Sequence, residues 1–217
     1  MGMTNTGAVI TADIVNSKAL SNNLLNNLTE KLKSLINEGN AKFLSFYRGD
    51  SFQCYCVDPY PACNLALTLR CGAKLFSDAA GTETDLKISL GIGEINTPVT
   101  NISTAMGKAF IISGEELEKL DSRQRRFIMR SEHEEINLAL ETLSYFTDYL
   151  FRDLTRKQAE VLQHLLQNRT QTEIANLLDK SQSTINRHVQ ALGWGEMEHL
   201  LDLYKHCIHK ITHPNGE

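Results

Sequence analysis

The stretch Ala8-Val9-Ile10-Thr11-Ala12-Asp13-Ile14-Val15 is an apolar, β-branched run with one acid near its end, and it reads as a buried strand. Working outward, Leu24, Leu25, Leu28, Leu32, Leu35 and Ile36 recur at helical spacing between Ser21 and Gly39. Residues 41–48 and 51–57 are strand-like and are separated by Gly49-Asp50, a hairpin signature. Pro59 and Pro61 open a second helix that carries Leu65, Leu69, Ala73 and Phe76. Residues 86–95 (LKISLGIGEI) predict another strand, with Ile88, Leu90 and Ile92 on one face and Ser89, Gly91 and Gly93 on the other. A helix over about 108–120, a strand near 126–131 and a long helix over about 132–150 follow. The order β-α-β-β-α-β with an added helix and strand predicts an α+β, ferredoxin-like sandwich. From Leu154 onward only short helical patterns remain, so the expected division is an α+β domain over 1–151 and a small all-α domain over 152–217.

The 217 residues are 41% hydrophobic and 22% charged, which excludes disordered and fibrous classes. No run of about 18 apolar residues is present, so no membrane helix is expected. The first residues carry no basic, apolar signal sequence, although Gly2 with Thr6 fits the loose myristoylation pattern. Five cysteines (Cys54, Cys56, Cys63, Cys71, Cys207) have no metal-ligand spacing, and Cys54 and Cys56 point the same way on a strand, as core residues do. A cytoplasmic protein is expected. Charge is uneven: residues 151–217 hold eight basic and eight acidic side chains, while the remainder carries the whole net charge of −4. Within 152–193, six basic residues face four acidic ones, a mild excess for a nucleic-acid surface.

Asp13 lies inside an apolar strand and Asp50 at the tip of a hairpin. A buried ionised carboxylate costs several kcal/mol unless it is paired or binds a cation. In a ferredoxin-like sheet the first strand lies beside this hairpin, so the two carboxylates can converge. With a backbone carbonyl such as that of Ile14 they form a hard-oxygen set suited to Mg²⁺ and a phosphate. The local alternative is that Asp13 ends its strand and Asp50 serves the turn. Arg48 is a candidate nucleotide phosphate contact or a solvated hairpin residue, and the small face Ser89/Gly91/Gly93 admits either a nucleotide or a closely packed helix.

The segments Ile10-Thr11-Ala12-Asp13-Ile14-Val15-Asn16-Ser17, Gly49-Asp50-Ser51-Phe52-Gln53, Leu90-Gly91-Ile92-Gly93-Glu94-Ile95 and Gly107-Lys108-Ala109-Phe110 resemble the successive motifs of the SatD family. More distantly they resemble class III nucleotidyl cyclase domains, over about residues 8–120. The resemblance implies that Asp13 and Asp50 are metal ligands, for Mg²⁺ or Mn²⁺ with a nucleoside triphosphate. The asparagine and arginine that a cyclase uses on its ribose and transition state fall at Ile111 and Glu115, and the usual lysine falls at Phe46. A glutamate there repels the triphosphate, so cyclase catalysis by the familiar mechanism is not expected.

In residues 155–204, Thr155 and Thr170 are N-cap candidates for two helices, with a turn at Asp179-Lys180-Ser181 before a third helix over 182–192. Ile185, Val189 and Leu192 point inward, leaving Gln182, Ser183, Asn186, Arg187 and Gln190 outward, with Gln171 at the start of the preceding helix. Such side chains hydrogen-bond base edges and phosphates. The string TQTEIANLLDKSQSTINRHVQAL (170–192) resembles the helix-turn-helix of many bacterial regulators, with Asp179 in place of the turn glycine and Lys180 in place of an apolar residue. The SatD-like proteins also continue into a helix-turn-helix. Trp194 is expected to pack the end of the third helix, and His206, His209 and His213 to lie in a fraying tail. Apolar Leu138, Leu143, Phe146, Tyr149 and Leu150 suit either a dimer seam or core packing. These observations predict a DNA-binding transcriptional regulator whose first domain senses a metal–nucleotide or mediates dimerisation, most simply as a homodimer. The alternatives are a two-metal nucleotide-processing enzyme and a non-catalytic interaction module.

Overall fold

A computed structural model describes residues 3–39, 41–47, 50–77, 81, 83–97, 99, 104–122 and 125–214. The alternation in the first strand sets the layering. β1 (Met3–Ile14) buries Ala8, Ile10, Ala12 and Ile14 on one face and turns Val9, Thr11 and Asp13 to the other. The chain turns at Asn16 (φ 59°) and enters α1 (Asn22–Glu38), capped by Ser21 and buried through Leu28, Leu32, Leu35 and Ile36. β2 (Lys42–Tyr47) and β3 (Ser51–Cys56) form the expected hairpin, and α2 (Ala62–Lys74) follows Pro61. β4 (Leu86–Thr97), α3 (Lys108–Ser122), β5 (Phe127–Ser131) and α4 (Glu134–Phe151) complete the sheet region.

The sheet order is β2-β3-β1-β4-β5, antiparallel except for the parallel β4–β5 pair. The ferredoxin-like core is therefore present, with β5 added beside β4. This is the α+β class that the strand and helix spacing predicts. Both faces of the sheet are covered, but unequally. Helices α1, α2 and α4 lie on the main core, whereas α3, with Val99 and Ala105 from the segment before it, covers the small cluster of Val9, Tyr55, Ile95, Ala109 and Phe110.

β5 is an edge strand, and α4 closes that edge with side chains. Ser131, Met129 and Phe127 donate their backbone N–H groups to Asn137 Oδ1 (2.8 Å), Ser144 Oγ (2.8 Å) and Asp148 Oδ2 (3.3 Å). Three polar residues on one side of a helix thus accept every second amide of the strand, which removes the template for edge pairing.

The C-terminal segment forms α5 (Arg156–Leu166), α6 (Gln171–Leu177), α7 (Gln182–Ala191) and α8 (Trp194–Thr212). α5 packs on α2, and α8 on α4 and α2, so these helices make a third layer over the first two. Its apolar residues, such as Leu162, Ile185, Met197 and Tyr204, belong to one cluster with those beneath the sheet. Sandwiched between layers, α2 has twelve of its thirteen residues buried. The expected fraying tail is instead helical to Thr212. The Tyr204 hydroxyl donates to the Pro59 carbonyl (2.8 Å), and Tyr60 lies 3.4 Å from His209 Nδ1, so α8 has a surface to fold against. Cys54, Cys56, Cys63 and Cys71 are buried free thiols, and burial pushes that of Cys56 up to about 12. Among the described residues no helix is long and apolar enough to cross a membrane.

Candidate functional site

Asp13 is the next-to-last residue of β1 and lies opposite Ser51 of β3 on one side and Lys87 of β4 on the other. Asp50 precedes β3, and its carbonyl accepts the N–H of Ile14 (3.0 Å). Both predicted aspartates therefore stand at one end of the sheet on neighbouring strands, each half-buried. The Ser17 hydroxyl donates to Asp50 Oδ2 (2.7 Å), which fixes that carboxylate from the turn after β1. Register also adds Tyr47 to this face, since it pairs with Ser51. Phe46 pairs with Phe52 on the opposite, core-side face, its ring 5.3 Å from that of Phe52. Arg48 lies outside the described residues. Among those described, no group of three or more His, Cys, Asp or Glu is arranged to hold a metal, so any cation here would rest on the two carboxylates and backbone or ligand oxygens.

Along the same face Gln53, Thr11 and Ser113 are tied to one another, whereas the buried Ser89 hydroxyl has no hydrogen-bond partner among the described residues. Gln53 Nε2 donates to Thr11 Oγ1 (2.9 Å), Thr11 to Ser113 Oγ (2.8 Å), and Ser113 to the Phe110 carbonyl (3.1 Å). This chain runs from β3 across β1 into α3. Gly91 lies directly beneath that helix: a Cβ there would collide with the Ala109 carbonyl and stand 2.7 Å from the Ser113 nitrogen. Of the two readings of Ser89, Gly91 and Gly93, the structure supports close helix packing. Gly107 has a related reason. Its φ of 144° and the Ile95 Cα, 2.7 Å from a would-be Cβ, leave room only for glycine as α3 begins. Ile111 is 54% exposed, and Glu115 is also exposed on the same helix.

Beneath the aspartates lies a charge network that local sequence does not reveal. Arg70 is 3% exposed and donates to both oxygens of Asp85 (3.0 and 3.2 Å) and to Asp148 Oδ1 (2.8 Å), with its guanidinium 4.5 Å from the Phe151 ring. Burial opposes charge on Arg70, but Asp85 and Asp148 outweigh it and raise its pKa. The Asp85 carbonyl in turn accepts the Val15 N–H (2.8 Å), two residues beyond Asp13. The network thus positions the end of β1 from below.

The second candidate surface is built by α5, α6 and α7. Thr155 with Gln158 and Thr170 with Glu173 form capping boxes, and Ser181 caps α7. α6 ends in a Schellman motif: Lys180 N–H donates to the Ala175 carbonyl (2.9 Å) and Asp179 N–H to that of Asn176 (3.4 Å). Asp179 takes the left-handed conformation with φ 50°, so the replacement of the usual glycine leaves the turn intact. Ile185 and Val189 are buried against α5 and α6. Gln182, Ser183, Asn186, Arg187 and Gln190 are all exposed, and Gln171 is half-buried at the start of α6.

The chain is similar in structure to class III nucleotidyl cyclase domains over about half its length. A bacterial light-regulated adenylyl cyclase matches at TM-score 0.46 and 13% identity, over 58% of this chain and 76% of that one. The adenylyl cyclase CyaB from P. aeruginosa matches at 0.43 and 12%, over 59% and 78%. The monomeric guanylyl cyclase domain of the RhoGC fusion protein from the aquatic fungus Blastocladiella emersonii matches at 0.41 and 19%, over 52% and 75%. No family model matches the chain, and no curated protein does.

Proposed function

We propose that this chain is a DNA-binding regulator that reads the major groove with α7, and that it is SatD-like. The observation that carries the reading is the face of α7. Its inward residues are apolar and packed, and its five outward side chains are polar, exposed and able to reach bases and phosphates. The capped α6, its intact turn and the buried Ala175 support the same geometry, since a small residue lets two helices cross closely. Selection of bound genomic fragments, followed by anisotropy titrations over a salt series, tests it. Arg187→Ala and Asn186→Ala are expected to weaken binding about tenfold or more, Arg187→Ala also lowering the salt slope by about one if it meets a phosphate. Wild type that binds no fragment at low salt, or binding indifferent to both substitutions, refutes the reading.

A second site supports sensing by the sheet domain. Asp13 and Asp50 stand at one sheet end on neighbouring strands, their backbones tied by the Ile14 N–H to Asp50 carbonyl bond, and carboxylates are the donors a divalent cation takes. The ligand proposed is Mg²⁺ or Mn²⁺ with a nucleoside triphosphate. A rise in melting temperature that needs both, and that Asp50→Ala abolishes, is the expected result. No shift with any pair assigns the two aspartates to the turn alone.

A further inference from the structure

The exposed side of α4 carries a regular pattern, in which Tyr145 already contacts Arg125, Tyr149 contacts Phe146 and Arg152, and Glu135 lies 3.6 Å from His133. Glu135, Leu138, Thr142, Tyr145, Tyr149 and Arg152 are all exposed, Leu138 at 78%, Tyr149 at 62% and Tyr145 at 55%. Their spacing is three, four, three, four, three, the interval of a coiled-coil seam. The pattern reads the same from either end. An antiparallel copy centred between residues 143 and 144 sets Glu135 opposite Arg152, Leu138 opposite Tyr149 and Thr142 opposite Tyr145, each pair occurring twice.

We propose that α4 is the interface of a homodimer, in which two copies pair antiparallel along this seam. Charge selects a second copy over an unrelated partner. On the seam Glu135 stands in the first turn of α4 and Arg152 at its other end, while Glu134, next to Glu135, is held by Arg130 (2.9 Å), so one helix supplies both halves of the complement. A two-fold interface requires this self-complementarity, in which residue i meets j and j meets i. The aromatic residues are also pre-ordered for contact: the Tyr145 ring carries the Arg125 guanidinium 3.6 Å from its centroid, and the Tyr149 ring stacks on Phe146 at 6.3 Å. One helical stripe falls short of the roughly 800 Å² per partner of a standard interface, so a weak dimer that dissociates on dilution is expected. The proposal is independent of the DNA-binding reading.

Sedimentation velocity of the full chain over a concentration series tests it. Wild type is expected to self-associate and Leu138→Glu to remain monomeric, with the melting temperature that wild type shows at dilutions where it too is monomeric. Glu135→Arg or Arg152→Glu alone is expected to weaken association about tenfold, and the double reversal to restore it. In an oxidised mixture, Thr142→Cys is expected to cross-link with Tyr145→Cys in preference to itself. A monomeric wild type at high micromolar concentration, a dimer indifferent to Leu138→Glu, or charge reversals that fail to compensate each overturn the proposal. Cross-linking without preference for the mixed pair overturns the antiparallel register.

Discussion

Helices α2 and α4 lie on the same face of one sheet, yet they are buried to different degrees. α2 has twelve of thirteen residues buried, and α4 only six of eighteen. The difference follows from position. α2 is covered from above by α5 and α8, so small and apolar residues occupy nearly its whole circumference. α4 lies along the sheet edge, and three of its six buried residues, Asn137, Ser144 and Thr147, are polar. Asn137 and Ser144 accept strand amides and Thr147 returns its hydroxyl to the Leu143 carbonyl. A central helix is specified by volume, whereas an edge helix is specified by acceptors, and its far side stays free for another use.

The largest expected effect breaks α2 at the more deeply buried of its two buried charges, Arg70. Arg70→Met takes away the cation that Asp85 and Asp148 share and leaves them longer pairs, with Arg126 and Arg125 at 3.6 Å each. Losing one partner of a buried ion network costs about 3–5 kcal/mol. Urea unfolding is expected to show this, while Leu138→Ala on the bare side of α4 changes stability by less than about 0.5 kcal/mol. Similar losses from the two substitutions would mean that the exposed stripe is already packed in solution.

What was legible in the sequence was local. The alternation of Ala8, Ile10 and Ala12 against Val9, Thr11 and Asp13 fixes the two faces of β1 within one strand. Thr170 with Glu173, and the tolerance of Asp179 for a left-handed turn, likewise need only a few neighbouring residues. The placement of Asp13 and Asp50 at one end of the sheet was legible one step further out, because strand order follows from the β-α-β-β-α-β pattern. The Arg70 network was not, since its partners lie 15 and 78 residues away and meet only after sheet and helices assemble. The same holds for Gly91, whose role depends on where α3 lands, and for the C-terminal histidines, whose helix depends on Pro59 and Tyr60. Leu138 and Tyr149 separated from Leu143, Phe146 and Leu150 only once α4 had a direction to face.

A middle-sized effect sharpens the account of the edge. Ser144→Ala removes the acceptor for the buried Met129 N–H and leaves no water-accessible replacement. An unsatisfied buried donor costs about 1–3 kcal/mol. The local signature matters more than the total. Hydrogen exchange at Met129 is expected to quicken well beyond that at Leu90, its register partner in β4. Uniform acceleration across the sheet would show that Ser144 acts through general stability and that α4 is not an edge cover.

The smallest effect concerns the layer above α2. His164 of α5 is half-buried, and burial first, then the nearby Arg169, lowers its pKa below the usual 6.5. Below about pH 6.5 the unfolded chain takes up a proton at this histidine that the folded chain refuses. Stability is therefore unaffected by this group above that pH, falls as the pH drops through it, and levels off once the folded form also protonates. The melting temperature is expected to fall as the pH drops below about 6.5, and the fall to shrink in His164→Gln. Because α5 rests on α2 and not on the β5 edge, acidification is expected to speed amide exchange in α2 before α4. If α4 opened first instead, the weaker attachment would lie at the edge, and the layer over α2 would be the firmer of the two.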